Sequence, residues 1–96
     1  MEFTANQIAE LVNGKVEGDS NASVSDFSKI EDARSGTLTF LANPKYEPHI
    51  YNTKATIALV NDSFLASEEL PENLTLIKVK NAYESLAELM RLYDEV

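Results

Sequence analysis

Ninety-six residues are enough for one domain, because domains typically hold roughly 100–150. With no cysteine and a single histidine, the chain excludes disulfides, thiolate zinc sites, cysteine nucleophiles and histidine-cluster metal sites. Sixteen acidic residues against eight basic ones give a net charge of −8 without a basic cluster, a poor match to nucleic acid or an anionic membrane surface.

No apolar run approaches the ~20 residues that span a bilayer. The opening Met1-Glu2-Phe3-Thr4 lacks the basic and apolar regions of a signal peptide, so a cytoplasmic location is expected. Thr4 and Gln7 then write a capping box, with Phe3 and Ile8 placed to close a hydrophobic staple. Ile8, Leu11 and Val12 share one face, and Gly14 stands where a left-handed residue ends a helix, which predicts a helix over about 5–13. Lys15–Glu17 reads as a short strand before the Gly18-Asp19 turn, and Ala22–Phe27 as a second strand. Ser28–Ala33 is a turn or one helical turn, stopped by Arg34-Ser35-Gly36. Thr37–Leu41 alternates threonine with Leu38 and Phe40 and is a clear strand.

Asn43-Pro44 opens a helix, with asparagine at the N-cap and proline where a missing N–H costs nothing. Pro48 removes a backbone bond one turn later, so a short, kinked or restarted helix through about Asn52 is expected. Ala55–Val60 is apolar at almost every position, as in a strand covered on both faces. A polar connection from Asn61 to Pro71 leads to another strand, Leu74–Val79. Asn81 with Glu84 caps a last helix whose Leu86, Leu89, Met90 and Tyr93 fall on one face. Strands alternating with helices predict a small α/β domain, at the α+β boundary, with a mixed sheet and about three flanking helices.

Catalytic constellations are missing. His49 lies in a Lys-Tyr-Glu-Pro-His stretch with no nucleophile elbow, and the three glycines at 14, 18 and 36 build no phosphate loop. No catalytic residue, metal ligand or cofactor is assigned. The stretch Leu38–Tyr46 is more informative, because it runs from the C-terminal end of a strand into a helix start, where open α/β sheets bind ligands. Phe40, Asn43 and Tyr46 place two aromatic rings around an amide, the parts needed to hold a flat heterocycle. Periodicity equally allows Phe40 to be core and Asn43 to be only a cap.

Three phrases carry a resemblance: Phe27–Ala33, Gly36-Thr37-Leu38-Thr39-Phe40-Leu41-Ala42-Asn43-Pro44-Lys45-Tyr46, and Thr53–Val60, with Phe3–Ala9 and Asn81–Glu84 adding to it. Together they closely resemble the N-terminal domain of UDP-3-O-acylglucosamine N-acyltransferase, the third enzyme of bacterial lipid A synthesis. The resemblance implies a fold like the first domain of Mur ligases and a uracil held between two rings, with Phe40, Asn43 and Tyr46 in the substrate-binding positions. It implies that residues 1–96 are a single nucleotide-recognition domain. The family's catalytic left-handed β-helix of hexapeptide repeats does not occur in this sequence. His49 does not match that domain's histidine base, so the 96 residues alone are expected to be non-catalytic.

By the same resemblance, the intact protein is a homotrimer that moves a 3-hydroxyacyl chain from acyl carrier protein to the UDP-sugar, while the fragment is monomeric. Only Lys45 adjoins the pocket in a chain of net charge −8, so the diphosphate is expected to find its countercharge elsewhere. Binding of uridine nucleotides by the domain alone is then weak, with a Kd on the order of millimolar. Two other readings compete. One is a non-catalytic interaction module docking through its acidic surface, and the other is the N-terminal domain of a Mur-ligase-like or HPr-kinase-like enzyme.

Overall fold

The computed structural model describes residues 2–94. Its elements run β1 (Phe3–Thr4), α1 (Ala5–Val12), β2 (Lys15–Glu17), β3 (Ser23–Val24), β4 (Asp26–Phe27), a short 3₁₀ turn (Ile30–Asp32), β5 (Thr37–Leu41), a 3₁₀ helix (Pro44–Asn52), β6 (Ile57–Asn61), β7 (Thr75–Val79) and α2 (Ala82–Asp94). The main sheet has the order β2-β7-β6-β5-β4, while β1 and β3 pair separately as an antiparallel ribbon. Strands β4 to β7 are parallel, and β2 runs antiparallel to β7 at the edge. This is the small mixed α/β sheet expected from the pattern.

Strand alternation divides the core in two. Leu38, Ile57, Leu59, Ile77 and Val79 point to the side covered by α1 and α2, where they meet Ile8, Ala82 and Leu89. Leu41, Ala58, Val60 and Leu76 point the other way, onto Ile30 and Ile50 of the two 3₁₀ segments. The central strand β6 is buried from Ile57 through Val60, which explains its unbroken apolar run.

The capping box of α1 forms in both directions, Gln7 N–H donating to Thr4 Oγ1 at 3.1 Å and Thr4 N–H to Gln7 Oε1 at 2.9 Å. Its end differs from expectation: Asn13 at φ 56° takes the left-handed position instead of Gly14. Gly14 is needed for space, because a Cβ there would lie 2.7 Å from Ile77 Cγ2 and 2.8 Å from Val79 Cγ1. The single strand expected over Ala22–Phe27 is broken at Ser25, whose N–H bonds to the Gly36 carbonyl at 3.0 Å; β3 joins one sheet and β4 the other. In α2, Leu89 is buried as expected, whereas Met90 is 48% exposed and falls off the core stripe. Tyr93, at 42% exposed, seals the edge by a T-shaped contact with Phe27.

Candidate functional site at the strand ends

Parallel strands β5, β6 and β7 all finish at one edge of the sheet, and each hands over to a different segment. From β5 the chain enters Asn43, whose Oδ1 accepts the Lys45 N–H at 3.0 Å and caps the 3₁₀ helix. Where a short, kinked or restarted helix is expected, the chain carries Pro48 inside one helical segment. The whole of Pro44–Asn52 is 3₁₀, a long run for that geometry. Proline explains the choice, since in an α-helix Pro48 would clash with the carbonyl four residues back.

Three residues per turn align side chains in straight rows. Pro44, Glu47 and Ile50 form the inward row, with Ile50 fully buried. Tyr46 and His49 fall on a second row, their ring centroids 6.3 Å apart, while Asn43 stands just before the helix in extended backbone, its carbonyl accepting the Tyr46 N–H at 3.0 Å. Tyr46 is 38% exposed, and the Asn43 amide NH₂ donates to no other group among the described residues. Two of the three sequence-predicted residues, Asn43 and Tyr46, are thus joined through their backbones across the first turn. Phe40 stands apart: alternation turns it to the two-helix side, where it is half-buried against the core. It thus lies across the sheet edge from the 3₁₀ helix.

Between that helix and the end of β6 opens a cleft of about 290 Å³. Leu41, Ala42, Pro44 and Phe64 make its floor, and Glu47, Asn61 and Ser63 supply its polar groups. Asn61 Oδ1 accepts the Ala82 N–H at 2.7 Å, and Asn81 Oδ1 accepts the Glu84 N–H at 3.0 Å, so two asparagines cap α2. Tyr51 donates its hydroxyl to Glu47 Oε2 at 2.6 Å and accepts the Ser67 N–H at 2.9 Å, tying the 62–74 loop to the 3₁₀ helix. Sequence reasoning missed Glu47, Tyr51 and Asn61. The four-residue step from Glu47 to Tyr51 was available as a signal; the pairing of Asn61 with Ala82, 21 positions away, was not.

A second cavity, of about 380 Å³, lies on the two-helix side between Phe3, Leu11, Phe27, Leu38, Leu89 and Tyr93. It is larger but almost wholly apolar in lining.

The family profile described as UDP-3-O-(3-hydroxymyristoyl) glucosamine N-acyltransferase, LpxD, matches residues 21–92. The chain belongs to this family. Family members named UDP-3-O-acylglucosamine N-acyltransferase include one from Bacteroides thetaiotaomicron, 52% identical over 94 residues, which are 98% of this chain and 27% of that protein. Another, from Phocaeicola vulgatus, is 53% identical over 94 residues, again 98% of this chain and 27% of its own. A more distant acyltransferase, from Methylacidiphilum infernorum, is 32% identical over 98% of this chain and 26% of its own length. The chain thus spans about a quarter of the length of these N-acyltransferases. The described residues contain no helix long and apolar enough to cross a membrane.

Proposed function

We propose that this domain recognises the uracil of UDP-3-O-acylglucosamine for an N-acyltransferase of lipid A synthesis, and that the acyl transfer is performed outside these residues. The observation that carries the reading is the junction of Asn43 and Tyr46, bonded through their backbones at 3.0 Å where a parallel strand ends, in a member of this family. A carboxamide oxygen has two lone pairs, and capping uses one. Asn43 can therefore still accept an imide N–H from uracil and donate to the neighbouring carbonyl. Tyr46 offers the stacking face, and Phe40 closes the slot from across the sheet edge. Lys45 and Lys80 stand at that edge without an ion pair among the described residues, too little charge to hold a diphosphate tightly.

In the intact enzyme, acyl carrier protein delivers the 3-hydroxyacyl chain to a separate repeat domain of a cytoplasmic homotrimer, and the 96-residue domain is a monomer when isolated. Titration of the domain with uridine or UDP, followed by nuclear magnetic resonance, tests the recognition step. Shifts are expected at Phe40–Tyr46, with a Kd on the order of millimolar. Shifts nowhere in that stretch would favour an interaction module, and micromolar affinity for UDP would show that the diphosphate is bound within the domain.

A further inference from the structure

We propose that Tyr51 is a positioning residue for the nucleoside site: its hydroxyl staples the 62–74 loop to the 3₁₀ helix and so keeps Tyr46 where a base can stack. This rests on the uracil reading of Asn43 and Tyr46. The hydroxyl is used to its full capacity. It donates to Glu47 Oε2 at 2.6 Å, accepts the Ser67 N–H at 2.9 Å and meets Ser67 Oγ at 3.1 Å. Because its one proton goes to Glu47, the Ser67 hydroxyl is the donor in the third bond. Ser67 thus gives both its amide and its side chain to one atom of a residue 16 positions away.

The 3₁₀ helix needs such a staple. Runs of this geometry beyond about three or four residues are uncommon because its hydrogen bonds are poorly aligned, and a proline contributes no N–H. Pro44–Asn52 holds nine residues with Pro48 among them. Ile50 is buried in the core, and the Tyr51 ring packs on the same cluster. Tyr46 has no such anchor. Its hydroxyl has no partner among the described residues, and its ring neighbour, His49, rides on the same helix. The helix backbone therefore sets where the Tyr46 ring stands. Glu47 follows Tyr46 directly, so the bond from Tyr51 grips the helix one residue from the stacking ring. Releasing that grip frees the first turn and lowers the fraction of molecules ready to bind, which raises the apparent Kd in proportion.

The test is Tyr51→Phe, which keeps the packed ring and removes only the hydroxyl, titrated with uridine by nuclear magnetic resonance beside the unaltered domain. Uridine is expected to bind roughly threefold to tenfold more weakly, the size of one net hydrogen bond. Glu47→Ala should weaken binding in the same direction and serves as the second variant should Tyr51→Phe not fold. Glu47→Gln, which still offers Tyr51 an acceptor oxygen, should stay within about twofold of the unaltered domain. Linkage supplies a readout that packing alone would not move: saturating uridine should slow amide exchange at Ser67 in the unaltered domain and lose that effect in Tyr51→Phe. Unchanged uridine affinity in folded Tyr51→Phe or Glu47→Ala overturns the assignment while the uracil reading stands. So does protection of Ser67 that is absent from the unaltered domain or survives in Tyr51→Phe. A loss in Glu47→Gln as large as that in Glu47→Ala overturns it too, because the carboxylate charge would then be the cause. No shift at Asn43 or Tyr46 with uridine in the unaltered domain overturns both readings.

Discussion

The apolar groove on the two-helix side and the polar cleft at the strand ends are built on the same sheet and share strand β5. Leu38 lines the first and Leu41 the second, three positions apart on β5. The groove is the larger, yet apart from Ser25, Asp26 and Tyr93 its lining is apolar, and dispersion and burial are non-directional. The cleft is smaller but sits where the ladder of backbone bonds runs out. There, chain ends need caps, and caps bring asparagines. Once Asn43 and Asn61 have satisfied an N–H each, their remaining amide donors face no partner among the described residues. The proposed site rests on that unspent hydrogen-bonding capacity, not on size.

Substitutions can break that contrast. The largest effect is expected from Leu89→Ala, on the groove side, where loss of a buried leucine should cost about 2–5 kcal/mol of stability in urea denaturation. Nucleoside shifts at the strand ends should persist in whatever fraction remains folded; their loss from folded protein would show that the two regions are one. Tyr46→Ala should do the reverse, weakening uridine binding by roughly 1–3 kcal/mol through lost stacking with little change in melting temperature. Phe40→Ala sharpens the comparison, because Phe40 packs on the helix side and is proposed to close the slot. It should lower both melting temperature and affinity, and loss of stability alone, with Tyr46→Ala leaving uridine shifts intact, would return Phe40 to the core.

The smallest effect has the opposite sign. Thr39 is fully buried on the 3₁₀ side, and its hydroxyl has no hydrogen-bond partner among the described residues. Thr39→Val keeps the shape and removes the unpaired group, so it should raise stability by about 1 kcal/mol without touching nucleoside affinity. A drop in stability would mean that the hydroxyl is satisfied by a buried water.

Much of this was legible along the chain because the relevant physics is local. The Thr4–Gln7 box, the Asn43-Pro44 start and the Asn81 cap all close within three residues, and each forms as the spacing predicts. Strand β6 was legible for a different reason, its unbroken apolar run. The misreadings have a common cause. Gly14 looked like a left-handed terminator, but its requirement comes from Ile77 and Val79, more than sixty positions away. Ser25 broke the expected strand because Gly36 offered its N–H a partner in another register.

The residues themselves determined most of the helices and strands, their order and the caps, since these depend on neighbours a turn away. Which side of the sheet each side chain reached was decided only on folding. Alternation is fixed along a strand, but the layer that each face meets depends on where the crossovers place α1, α2 and the 3₁₀ helix. That placement separated Phe40 from Tyr46 across the sheet edge and brought Glu47, Asn61 and Ser63 around one cleft. Contacts between residues distant in sequence carry no local signature, because their energy is realised only once the whole sheet has closed its loops.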